Sequence, residues 1–87
     1  MSAALEVGDV VISKAGHDRG NLFVVLESID SEYVRIADGR TRTLEKPKKK
    51  KRRHLKAVAE AERTAKVSWQ NNAEIRTFLK QYQQNRN

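Results

Sequence analysis

Two short apolar runs, Val10-Val11-Ile12 and Leu22-Phe23-Val24-Val25-Leu26, flank the polar stretch Lys14-Ala15-Gly16-His17-Asp18-Arg19-Gly20-Asn21. Both runs are rich in β-branched and aromatic residues and too short for a helix of normal length, so they read as two strands. Glycine adopts positive φ without steric cost, and Gly16 and Gly20 therefore point to a tightly shaped turn between the strands. Its backbone amides are expected to be open to solvent or to a ligand. Lys14 and Arg19 flank this turn. A shaped, partly basic loop on a small β scaffold suits contact with a phosphate backbone. A plain hairpin loop would have the same composition.

The rest of the chain continues this pattern. Gly8-Asp9 reads as a turn leading into a strand at about Val10–Ser13. The second strand spans about Leu22–Ile29, and its unbroken apolar run implies burial on both sides. After the polar turn Asp30-Ser31-Glu32, Tyr33–Ala37 alternates, with Val34 and Ile36 toward the core and Tyr33 and Arg35 away from it. Asp38-Gly39 signals a type I′ hairpin. A fourth strand, short and at an edge, is expected over Arg40–Leu44. Pro47 then interrupts pairing, and Arg53–Val58 reads as a last short strand or crossing anchored by Leu55.

These features predict a mainly β protein with C-terminal α structure. Residues 5–58 form a small, partly open SH3-like barrel of four to five strands. Residues 59–87 form a helical extension of one or two helices. Ala57–Lys66 is rich in helix formers and has Glu62 and Lys66 as an i,i+4 pair, but its apolar residues are small. Asn71-Asn72-Ala73-Glu74 resembles a capping box. Ile75, Phe78, Leu79 and Tyr82 then make one apolar stripe of a helix over about Asn72–Gln84. That stripe must bury itself on the barrel or on a partner.

With 87 residues the chain allows one domain with a modest core, and a deep substrate pocket is not expected. There is no cysteine, hence no disulfide framework and no thiolate metal site. No apolar run is long enough to span a bilayer, and Met1–Glu6 lacks the pattern of a signal peptide. A soluble, cytoplasmic protein without membrane contact is the expectation. The net charge of +7 is unevenly spread: −4 over residues 1–39, +9 over residues 40–56 and +2 over residues 57–87. Such asymmetry is the electrostatic footprint of a nucleic-acid binder.

The run Gly8-Asp9-Val10-Val11-Ile12-Ser13-Lys14-Ala15-Gly16-His17-Asp18-Arg19-Gly20-Asn21, followed by Val24-Val25, looks like a KOW motif around Gly20. With Asp30–Ala37, Asp38-Gly39, the basic run and His54-Leu55, the chain resembles the 14e-type KOW ribosomal proteins of the large subunit. It resembles still more the small bacterial KOW-domain RNA-binding proteins, which often end in a segment like Asn72-Ala73-Glu74-Ile75-Arg76. The resemblance covers residues 5–58 and, more loosely, the C-terminal helix. It implies an SH3-like barrel that contacts ribosomal RNA through the glycine loop and basic strands. The chain departs from the family pattern at Ala57–Gln70, and at His17, where many KOW loops have a lysine or arginine.

The strongest chemical signal is the tract Lys48, Lys49, Lys50, Lys51, Arg52 and Arg53. Adjacent cations repel unless anions neutralise them, and phosphates do so with release of counterions. A solvated loop is the bland alternative. Arg40 and Arg42 extend the patch or merely guard an edge strand. The RNA-contact set is therefore Lys14, Gly16, His17, Arg19, Gly20, Arg40, Arg42, Lys48, Lys49, Lys50, Lys51, Arg52, Arg53 and His54. Tyr33 and Trp69 are candidates for base stacking, although Trp69 fits packing beside the helix cap better. Phe23 belongs to the core. Asp18 and Asp38 read as turn formers. His17 and His54 are the only histidines, and nothing in their spacing suggests a metal site or catalytic constellation. The reading is a non-catalytic RNA-binding protein, without cofactor and monomeric when free. Its expected partner is ribosomal RNA of the large ribosomal subunit, with a ribosomal protein as neighbour. The alternative is a KOW-type protein-interaction module for a transcription or translation factor, docking through the amphipathic helix.

Overall fold

A computed structural model describes residues 5–58 and 69–84. The helical segment expected over Ala57–Lys66 lies almost wholly outside these residues. Five strands, β1 (Val10–Ser13), β2 (Leu22–Ser28), β3 (Tyr33–Ala37), β4 (Lys48–Lys51) and β5 (Leu55–Ala57), precede helix α1 (Asn72–Gln84). The strands form one antiparallel sheet in the order β4-β3-β2-β1-β5.

Strand alternation builds two cores from the same apolar runs. Val11, Phe23, Val25, Val34, Ile36 and Leu55 join Leu5 on one face. Val10, Leu22, Val24 and Ala37 lie on the other, where Ile75, Leu79 and Tyr82 of α1 cover them. The helical stripe therefore closes this domain's own second core. Burying a side chain such as Ile75 or Leu79 stabilises the fold by about 1.5–3 kcal/mol. Beyond Val25 the β2–β3 register shifts, so that Glu27 opposes Arg35. Such a bulge bends a strand and increases its twist.

The helix begins as its sequence requires. Asn71 Oδ1 accepts the amide of Glu74 at 2.9 Å. The Glu74 carboxylate reaches back one residue further than in a standard capping box, to the amide of Gln70 at 2.8 Å. Trp69 packs against Phe78, with ring centroids 5.1 Å apart.

The fourth strand is not where the sequence pattern puts it. Residues 40–44 form a loop, because the Asp38 carboxylate takes the amides of Arg40 and Arg42 at 2.8 and 2.9 Å. The Asp38 and Gly39 amides in turn donate to the Arg42 carbonyl. Nor is Asp38-Gly39 a type I′ turn: Gly39 has φ 81°, but no non-glycine among the described residues has positive φ. Asn72 ties the loop to α1, accepting the Leu44 amide at 2.8 Å and donating to Glu45 at 3.0 Å. The strand that pairs with β3 is the lysine run itself, Lys48–Lys51. It lies at one end of the sheet, a position where lysines discourage pairing with other chains.

Candidate nucleic-acid interface

The glycine loop and the lysine tract, far apart in sequence, meet in the fold. The Lys14 amide donates to the His54 carbonyl at 2.7 Å, and Ser13 pairs with Leu55 in the β1–β5 ladder. The loop turns through a 3-10 segment at Gly16–Asp18. Gly16 and Gly20 have φ of 77° and 88°. The amides of Arg19, Gly20 and Asn21 donate to Gly16, Ser13 and Asp18 carbonyls. The expectation of open amides therefore does not hold at these three residues. What the loop offers near Gly20 is its exposed side chains and shape.

The pleat of β4 sorts the lysines. Lys48 and Lys50 oppose Ile36 and Val34, whereas Lys49 and Lys51 oppose Arg35 and Tyr33. Lys50 is only 8% exposed. Its ammonium donates to the Ala15 carbonyl at 3.2 Å and lies 4.0 Å from Asp18. Arg42 approaches the same carboxylate at 3.5 Å. Asp18, 7% exposed, is thus the ionic hub that fixes the loop against the tract. The sequence marked it only as a turn former, because its partners come from distant segments that no local pattern connects.

Arg52 also faces the protein. It donates to the carbonyls of Asp30 and Leu5, both at 2.9 Å, and to Ser28 Oγ at 2.6 Å. Lys49 Nζ stands 4.5 Å from the centroid of the Tyr33 ring. A base would have to displace that ammonium to stack on this face.

The remaining candidates reach solvent. Lys14, Gly16, His17, Arg19, Gly20, Arg40, Lys49 and Arg53 are exposed, and Lys48, Lys51 and His54 are half-buried. His54 sits amid the basic cluster: partial burial, then the charges of Arg53, Lys50, Lys51 and Lys14, hold its imidazole below the ordinary value of 6.5. Phosphates placed here would relieve repulsion among these cations. Among the described residues no group of His, Asp or Glu is placed to hold a metal ion, and no helix is long and apolar enough to cross a membrane.

Arg76 and Lys80 of α1 are exposed and line a groove together with Arg40. Arg76 donates to the Gly39 carbonyl at 2.7 Å. Their sequence signal was only that they lie off the apolar stripe. Compared with known proteins, the chain matches no family model and no curated sequence.

Proposed function

We propose that this chain is a non-catalytic RNA-binding protein that docks on ribosomal RNA of the large subunit. Binding is mainly electrostatic and directed at the phosphate backbone. The observation that carries this reading is the junction of Lys14 with His54, which brings Lys14, Lys51 and Arg53 around one point of the surface. Two separately basic segments thereby act as one patch. Buried Lys50 and Asp18 hold that patch in shape at no cost to its exposed charges.

The strand order, with a 3-10 turn at Arg52–His54 leading into β5, supports an SH3-like barrel as the scaffold. The alternative, a protein-interaction module docking through its amphipathic helix, is the weaker reading. Ile75, Leu79 and Tyr82 are already buried on the sheet, which leaves only the half-buried Phe78 of this stripe for a partner.

Sedimentation of the tagged protein through sucrose gradients tests the proposal. Co-migration with large ribosomal subunits at low salt, lost at high salt, is the expected result. Migration at the top of the gradient under both conditions would remove the ribosomal assignment.

A further inference from the structure

A groove runs between α1 and the loop that follows β3, and Asn21, the last residue of the glycine loop, lies on its wall. Its volume is about 490 Å³, within the ~300–1,000 Å³ common for small-ligand sites. Leu22 and Leu79 border it but are buried, and its exposed lining comes from Asn21, Thr41 and Thr77 together with the cations Arg40, Arg76 and Lys80. The only carboxylate in the lining is Asp38, whose Oδ1 already accepts the amides of Arg40 and Arg42. Arg76 is fixed in place by its bond to the Gly39 carbonyl.

Hydroxyls and an amide among three cations match the sugar and phosphate of a nucleotide. The sugar lies against Asn21, Thr41 and Thr77, and the phosphate lies between the cations. A double helix cannot enter a cleft of this size, but an unpaired nucleotide can. Arg42 links the two surfaces physically, since it touches Asp18 of the glycine loop and belongs to the same loop as Arg40.

We infer that this groove receives single-stranded nucleotides next to a paired RNA region held by the glycine loop and β4. The inference rests on the RNA-binding reading. It adds that the protein recognises a junction between paired and unpaired RNA.

The test compares an RNA hairpin carrying a single-stranded tail with the same hairpin lacking it, using the full chain and fluorescence anisotropy. The tail is expected to strengthen binding by about tenfold, with the log–log salt slope steeper by about 0.7 for each added phosphate contact. Both gains should vanish in Thr41→Trp/Thr77→Trp, which fills the groove and leaves every cation in place, while affinity for the tailless hairpin is kept. Equal affinity for the two RNAs, or a tail effect that survives in this variant, overturns the groove assignment and leaves the RNA-binding reading standing. Failure to bind either hairpin overturns both.

Discussion

The ammonium of Lys50 stands 4.0 Å from the carboxylate of Asp18, so one lysine of the tract holds the glycine loop from within. Removing it leaves a nearly buried carboxylate with Arg42 as its remaining cationic contact. Lys50→Met is expected to cost about 1–3 kcal/mol in urea unfolding. Lys49→Met, which loses an exposed charge over Tyr33, should cost no more than about 1 kcal/mol. Equal losses would contradict the sorting of the tract into inward and outward lysines.

RNA affinity should respond in the opposite order. Replacing Lys14, Lys49 and Arg53 together by Gln removes three exposed cations. This should lower the log–log salt slope by about 2–3. A slope that stays at the wild-type value would show that these residues do not touch phosphate.

Two glycines separate backbone strain from steric exclusion. A Cβ on Gly20, φ +88°, meets nothing within 4 Å, whereas one on Gly39 would lie 2.5 Å from the Asn72 carbonyl oxygen. Gly20→Ala should therefore cost about 1–2 kcal/mol, from backbone conformation alone. Gly39→Ala adds displacement of the first turn of α1 and should be the more damaging of the two. Thermal unfolding followed by Trp69 fluorescence would read both, and a Gly20 variant worse than the Gly39 variant would refute the packing argument.

His54 should titrate below its ordinary 6.5, because partial burial and neighbouring Arg53, Lys50, Lys51 and Lys14 all disfavour the imidazolium. The unfolded chain then takes up this proton before the folded one does. The stability contribution of neutral His54 is present above the unfolded value and falls as pH drops through the window below it. Asp30 works at lower pH: the amides of Glu32 and Tyr33 hold its carboxyl below the ordinary 3.8, so its contribution is lost as pH falls through that lowered value. Imidazole proton shifts followed by NMR would check the first statement. Adding RNA should move the His54 midpoint upward as phosphates neutralise the surrounding cations.

Much of this architecture was legible in residue order. Val10–Ser13 and the start of β2 at Leu22 follow from β-branched runs, and α1 follows from Asn71 and the stripe at Ile75, Phe78, Leu79 and Tyr82. The fourth strand was not. Lysine has little intrinsic preference for strands, and Lys48–Lys51 becomes one only because β3 offers a ladder and Asp18 receives Lys50. Arg40–Leu44 looked more like a strand than it is, since nothing local shows that the Asp38 carboxylate captures the amides of Arg40 and Arg42. The solvent-facing part of the candidate interface was visible as charge. Its internal bracing by Asp18, Lys50 and Arg52 depends on contacts between remote segments.

The placement of the tract on a strand also makes four chemically identical amines unequal as nucleophiles. An acylating reagent attacks the neutral, accessible amine, so Lys49 should be modified first and Lys50, enclosed beside the Ala15 carbonyl, last. A run that reads as one repeated letter would thus give an ordered series of products.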